Sequence, residues 1–394
     1  MVVAKSERLH IGLFGRTNVG KSTIFNLIAG QNIAITSEIP GTTTDVVEKT
    51  LELSTLGPVV IFDTAGIDDT SDLGKKRKSK TEQVFNRCDI ALLVTEANQW
   101  TKFEEQLIKE FQEKNIPCII VINKKEPNSI FEIKNKLPKI IYDILQTRDV
   151  FLTKLTEIIQ QELKIKDKKT QNLFDNLLTS SNTCIFVTPI DSGAPKGRLI
   201  MPQVQALRAA LDENIISLIV QPEELNLALD SLKNPPDLIV CDSQVVKQVI
   251  EKIPQEQKIT TFSILFARMK GDVKIEFEGI EIINKLKPED KILIAEACTH
   301  HAQKDDIATV KIPNLLKKYL GFLPKIDYTS GHQFPDNLPE YKLVIHCGAC
   351  MLTRTEKLNR IKEVQKVSGN ITNYGMILSF LNGYLTRTLE PFKL

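Results

Sequence analysis

The chain has 394 residues, more than one ordinary hydrophobic core accommodates, so two or three domains are expected. A hydrophobic content of 42% with 25% charged residues is that of a globular protein, and a net charge of +2 gives no reason to expect nucleic-acid binding. No apolar run reaches membrane-spanning length, and Met1–Glu7 does not read as a signal peptide, so a cytoplasmic protein without a membrane partner is expected.

Residues 1–168 read as the first domain. A short apolar run, His10 to Phe14, leads into Gly15-Arg16-Thr17-Asn18-Val19-Gly20-Lys21-Ser22, which fits G-x-x-x-x-G-K-[ST] in full. An apolar helical stretch follows from Thr23 to Ala29. Glycines let main-chain N–H groups close around phosphate oxygens, and the new helix adds its positive end. Gly15, Asn18, Val19, Gly20, Lys21, Ser22 and Thr23 are the expected nucleotide contacts, with Lys21 on the terminal phosphates and the Ser22 hydroxyl on magnesium.

Two further motifs keep the order this chemistry needs. Val59 to Phe62 reads as a buried strand ending in Asp63-Thr64-Ala65-Gly66, where Asp63 can hold magnesium and Gly66 can offer its N–H to the outermost phosphate. Ile119 to Ile122 reads as another, ending in Asn123-Lys124-Lys125-Glu126. Together the three define a nucleotide-hydrolysing domain.

These motifs resemble the TrmE/Era-like GTPases of the translation-factor class. The resemblance implies GTP and GDP as ligands, read by Asn123, Lys124 and Glu126. It also implies that Thr43, within Pro40-Gly41-Thr42-Thr43-Thr44-Asp45, binds magnesium, and that Asn18 binds potassium. Lys21, Thr43 and Gly66 are then the catalytic contacts. Two positions depart from the family pattern. Glu126 stands where an aspartate reads guanine, and Tyr142-Asp143-Ile144-Leu145 stands where Ser-Ala is expected. Ile67 follows Gly66 where Ras-type enzymes carry a water-orienting glutamine, so slow unaided hydrolysis is expected.

The charged stretch Lys164 to Lys169 reads as a hinge into a middle domain, 169–270. There Cys184 to Val187, Ile215 to Val220, Leu238 to Cys241 and Ile259 to Phe262 read as strands. Met201 to Leu211, Pro222 to Leu232 and Ser243 to Ile253 read as helices between them, which implies a small parallel sheet with a structural or dimerising role. The glycine-bearing loop Asp191 to Arg198 lacks phosphate-loop spacing. Cys88, Cys118, Cys184 and Cys241 lie singly in or beside apolar runs and read as small buried hydrophobes, and an odd total of seven cysteines argues against a disulfide framework.

The last domain, 271–394, gathers the remaining thiols. Lys291 to Glu296 reads as a strand running into Cys298-Thr299-His300, and Leu343 to Ile345 as another running into His346-Cys347-Gly348-Ala349-Cys350. Were these strands parallel neighbours, their carboxyl ends would bring three thiols together across 49 residues of chain. Gly321 to Glu340 reads as a long loop carrying His332. Arg354 to Val367 and Tyr374 to Thr388 read as helices behind the site. Ligand chemistry alone leaves zinc and an iron–sulfur cluster open, with His300 and His346 as fourth ligands or as donors to the ligands.

Cys298-x-His300 with His346-Cys347-x-x-Cys350 behind a GTPase domain resembles the GTPase maturase of FeFe-hydrogenase assembly, the HydF family. The resemblance extends to Val187–Arg198 and Ile371–Met376. It implies a 4Fe–4S cluster on Cys298, Cys347 and Cys350 and a homodimer through the middle domain. It further implies a scaffold or carrier role for the two-iron precursor of the hydrogenase active site, with the FeFe-hydrogenase apoprotein and two radical-SAM maturases as partners. The expected fold is therefore α/β throughout: a P-loop GTPase domain, a small parallel dimerisation domain and an iron–sulfur domain. The alternative is a ribosome- or RNA-associated GTPase with a structural Cys/His zinc site.

Overall fold

A computed structural model describes residues 5–30, 47–53, 55–64, 81–97, 99–124, 135–143, 145–167, 172–190, 199–297, 306–349 and 352–392. The chain forms two compact units, Met1–Thr170 and Gln171–Leu394.

The first unit is built on a six-stranded sheet in the order β2-β3-β1-β4-β5-β6. Its strands are β1 (Leu9–Phe14), β2 (Val47–Leu53), β3 (Gly57–Asp63), β4 (Ile90–Glu96), β5 (Cys118–Lys124) and β6 (Lys139–Asp143). All neighbouring pairs are parallel except β2 with β3. The inner strands are apolar without alternation because helices cover both faces, so both rows of side chains are buried. One face packs Ile11, Leu13, Ile61 and Val121 against the helices Lys21–Ala29 and Arg148–Asp167; the other packs Phe14, Phe62, Phe85 and Phe111. β2 alternates half-buried and exposed side chains, as an edge strand covered on one face does. The helix Arg148–Asp167 takes in Lys164 to Asp167 of the stretch read as a hinge, which corrects that reading for those residues.

The second unit holds two four-stranded sheets. In the first, β7 (Thr183–Val187), β8 (Ile216–Val220), β9 (Leu238–Cys241) and β10 (Ile259–Thr261) lie in the order β10-β9-β7-β8, all parallel, as the strand–helix alternation implies. In the second, β11 (Lys291–Glu296), β12 (Lys325–Ser330), β13 (Tyr341–His346) and β14 (Ile371–Asn373) lie in the order β12-β11-β13-β14, again all parallel.

The two sheets of this unit share a helix. Phe262–Lys270 turns Phe262, Leu265 and Phe266 to the first sheet's core and Ile264 and Ala267 to the second's. Phe392 packs against both cores as well.

Two readings of this region are corrected. Gly321 to Glu340 is not a plain loop, because its Lys-Ile-Asp-Tyr-Thr-Ser segment is β12, an edge strand whose mostly exposed side chains hide its pairing from sequence. Tyr374 to Thr388 is two helices, Tyr374–Leu381 and Leu385–Leu389, parted where Gly383 takes φ 81°, a left-handed turn open to glycine.

A nucleotide loop and a cysteine loop at sheet ends

The phosphate-loop motif lies between β1 and the helix Lys21–Ala29, so its N–H groups gather at the carboxyl end of a parallel sheet. Gly15 (φ 145°), Asn18 (φ 63°) and Gly20 (φ 94°) give the loop its curl. A side chain at Gly15 would meet the Val94 carbonyl at 2.3 Å, and one at Gly20 the Asn123 amide at 2.2 Å, so both positions exclude a Cβ. The Lys21 ammonium, 7% exposed, is held by its own loop, on the carbonyls of Gly15 (3.1 Å) and Arg16. Asn123 at the end of β5 donates its amide to the Val19 carbonyl at 3.0 Å, which ties the base-reading motif to the phosphate loop. Lys124 lies 3.8 Å from Asp143, a residue of the segment where Ser-Ala is expected.

Ser22 and Asp63 meet as expected: the Ser22 hydroxyl donates to Asp63 Oδ2 at 2.7 Å. Asp63 is fully buried, and burial pushes its carboxyl pKa up, against the pull of Ser22 and Lys21. Its second oxygen, Oδ1, has no hydrogen-bond partner among the described residues. A desolvated carboxylate oxygen beside a hydroxyl is a donor set suited to a hard divalent cation, so the residues fit magnesium. Thr43, Gly66 and Glu126 lie outside the described residues; Val19 is buried and Thr23 lies in the first turn of the helix Lys21–Ala29.

A brace beside this loop was not anticipated. Arg16 donates to both carboxylate oxygens of Glu104, from Nε at 2.8 Å and Nη2 at 3.2 Å, and stacks over Phe103 at 5.1 Å. Glu104 is 1% exposed and also caps its own helix by accepting from the Thr101 amide at 2.8 Å. The sequence signal was present as Thr101-x-x-Glu104, a capping box, though nothing in it pointed across 88 residues to Arg16.

At the second site, β11 and β13 are parallel neighbours, with Ala295 opposite His346. The Cys347 amide donates to the Ala295 carbonyl at 2.9 Å, and the Ala297 amide donates to Cys347 Sγ at 3.2 Å. The register thus sets the residue before Cys298 in the chain beside Cys347, at the carboxyl ends of β11 and β13. Cys298, His300 and Cys350 themselves lie outside the described residues. Among the described residues, no three His, Cys, Asp or Glu side chains form a metal-holding group.

The donors that are described fit a metal–sulfur group. Cys347 is a thiol at a strand end whose sulfur already accepts a backbone N–H, and Ala349 turns the loop at φ 55°. His346 is fully buried; its Nδ1 lies 2.7 Å from the Cys347 carbonyl and its Nε2 has no partner among the described residues. Burial, then the charges of Lys357 and Arg360, hold the imidazole well below its ordinary pKa, so the ring is neutral.

Behind the loop lies buried charge that sequence reasoning missed. Lys357 Nζ is 2.7 Å from Glu276 Oε1, and the Asn373 amide donates to Glu276 Oε2. Arg360 stacks over Phe334 at 4.1 Å, donates from Nη1 to the Gly331 carbonyl at 3.2 Å, and leaves Nε and Nη2 without hydrogen-bond partners among the described residues. The clue was the stripe 357–360–361–364 on the helix Arg354–Lys366, whose apolar spacing includes two cations.

The fold and motifs define a P-loop GTPase domain followed by two α/β domains. Residues 10–124 match the family model described as 50S ribosome-binding GTPase, residues 173–271 the hydrogen maturase F dimerization domain, and residues 274–391 the hydrogen maturase F tetramerization domain. The chain belongs to the hydrogen maturase F family.

Curated relatives match the GTPase portion. The tRNA modification GTPase MnmE of Chromobacterium violaceum is 40% identical over 119 residues, 30% of this chain and 26% of that protein. GTPase Der of Campylobacter curvus is 33% identical over 178 residues, 43% of this chain and 38% of that protein. The chain thus spans well under half the length of these relatives. Among solved structures, Era in complex with MgGDPNP and nucleotides of 16S ribosomal RNA is 24% identical, covering 39% of this chain and 55% of that one, with a TM-score of 0.32. NFeoB from S. thermophilus bound to GDP.AlF4- and K+ is 20% identical, covering 39% and 61%, with a TM-score of 0.30. Scores this low carry no argument about this chain.

Among the described residues, no helix is long and apolar enough to cross a membrane.

Proposed function

We propose that this chain is a GTP-hydrolysing iron–sulfur scaffold that holds a 4Fe–4S cluster on Cys298, Cys347 and Cys350. In this reading it assembles and delivers the two-iron precursor of the FeFe-hydrogenase active site. The observation that carries it is the pairing of β11 with β13, which aligns the segments preceding Cys298 and Cys350 at one sheet edge. The two maturase-family domains behind a GTPase domain support it.

On the nucleotide side, Lys21 leaves its loop carbonyls for the β- and γ-phosphates of GTP, and the loop amides take phosphate oxygens. Ser22 and Asp63 hold magnesium, whose charge offsets that of the phosphates. Asn18 supplies a potassium ligand, and Thr43 and Gly66 contact the terminal phosphate. Loss of that phosphate releases these two contacts, which makes the GTPase a switch that biases docking. On the sulfur side, three thiolates leave one iron of four with a replaceable ligand, His300, His346 or solvent, where a fragment can bind. A homodimer formed through the middle domain presents the site to the hydrogenase apoprotein and two radical-SAM maturases in the cytoplasm.

The test is anaerobic purification with iron, sulfide and zinc analysis, followed by GTP turnover in potassium and sodium buffers. Expected are a brown protein with about four irons per chain, and faster turnover in potassium. A colourless protein carrying zinc would instead favour a ribosome- or RNA-associated GTPase, the reading favoured by the description of the matched GTPase model.

A further inference from the structure

Buried charge is costly unless something of opposite sign lies beside it. Around the Cys347 loop the described residues carry more buried cations than anions. Lys270, Lys357 and Arg360 are 5%, 3% and 2% exposed. Lys270, Glu276 and Lys357 line the same small cavity as Cys347, Gly348 and Ala349. Among the described residues that line it are two ammonium groups and one carboxylate. Lys270 Nζ is fixed there by donating to the Leu352 carbonyl at 3.2 Å, at the far end of the cysteine loop. Glu356, the other buried carboxylate nearby, is engaged by His332, and its charge and that of half-buried Glu363 act on Arg360. Arg360 brings two further buried nitrogens, Nε and Nη2, with no hydrogen-bond partner among the described residues.

We propose that Lys270, Lys357 and Arg360 are the built-in counter-charge for an anionic cluster on Cys347, and that they bias it toward its reduced state. The inference rests on the cluster reading above. A cubane held by three thiolates is anionic when oxidised and gains a further negative charge on reduction. Net positive charge beside it, with an N–H on one of its sulfurs, therefore favours the reduced form. Glu276 acts in the opposite direction and trims the excess. Lys357 and Glu276 are thus positioning residues for charge, set behind the cysteine loop rather than on the metal.

The experiment is a redox titration of the full-length chain, reconstituted without oxygen, followed by electron paramagnetic resonance. Glu276→Gln keeps an acceptor for Asn373 and removes the one carboxylate of the cavity. It is expected to raise the reduced-to-oxidised ratio at fixed poise by about tenfold, a shift of ~59 mV for one electron. Lys357→Met is expected to shift the ratio the other way and to lose iron several-fold faster to a chelator. The double variant Glu276→Gln/Lys357→Met is expected to lie near the wild type. If Lys357→Met fails to fold, Glu276→Gln decides. Folded, iron-loaded variants that share the wild-type potential, or shift in one direction together, overturn the counter-charge assignment and leave the cluster reading standing. A wild-type chain that takes up no iron overturns both.

Discussion

The amide of Ala297 donates to Cys347 Sγ across 3.2 Å, and the next residue after Ala297 is Cys298. Cys298 and Cys347 are 49 residues apart in the chain, and the pairing of β11 with β13 brings the residue before the first against the second. The phosphate loop stands in the other compact unit, on its own sheet.

That separation predicts separable losses. Lys21→Ala should lower GTP turnover by more than about 100-fold, the scale of losing one charge-stabilising donor, while iron uptake is retained. Cys347→Ala should do the reverse. Phosphate release and iron content, measured on the same preparations, decide it; loss of both functions in either folded variant contradicts separable sites.

Glu104 should matter to nucleotide binding although it lies off the phosphate loop. Its fork to Arg16 comprises charge-assisted hydrogen bonds, each worth roughly 1.5–3 kcal/mol. Glu104→Ala is expected to raise the KM for GTP several-fold and to lower the melting temperature of the first unit by about 4–8 °C. Exposed Glu105→Ala, its neighbour, should do neither. A Glu104→Ala protein with wild-type KM and melting temperature would show the brace to be idle.

His10 makes the first unit sensitive to mild acid. Burial holds its imidazole below the ordinary 6.5, although Asp89 and the Arg87 carbonyl pull upward. Nδ1 and Nε2 each lie 3.1 Å from a carbonyl, of Arg87 and Lys5. Below pH 6.5 the unfolded chain binds the proton that the folded chain refuses. The stabilisation is therefore complete above that pH and declines as pH falls toward the folded value, by at most about 1.4 kcal/mol per pH unit. Urea titrations between pH 5 and 7.5 should show a shallower slope for His10→Gln; parallel slopes would exclude His10 as the source.

Four thiols should be inert in the folded protein. Cys88, Cys118, Cys184 and Cys241 are buried, and burial pushes Cys118 up to about 12 and raises Cys184 and Cys241 as well. Thiolate is the reactive form, so an alkylating reagent at pH 8 should leave all four unmodified until denaturant is added. Peptide mass spectrometry finding Cys118 labelled in the native state would refute this.

The phosphate loop, the strand before Asp63 and the strand before Asn123 were legible because each is a continuous apolar run ending in residues with one chemical use. That β11 and β13 pair in parallel was only a supposition prompted by the cysteines at their ends, and the register supplies it. β12 was illegible because its exposed side chains carry no burial signal, and β2 because an antiparallel edge strand has little to distinguish it. Arg16–Glu104 and Lys357–Glu276 could not be read, since partners 88 and 81 residues apart are joined only by tertiary packing. A lysine and an arginine on a polar helix pass for surface residues until the helix is laid on its sheet.

The helix Phe262–Lys270 gives one side to each sheet of the second unit, and Phe392 joins it from the other end of that unit. Recombination at residue 271, the seam between the two matched families, would leave this helix with a mismatched flank whichever half was exchanged. Natural variation on its two faces must therefore be correlated, and the two halves are heritable as a pair rather than as interchangeable parts.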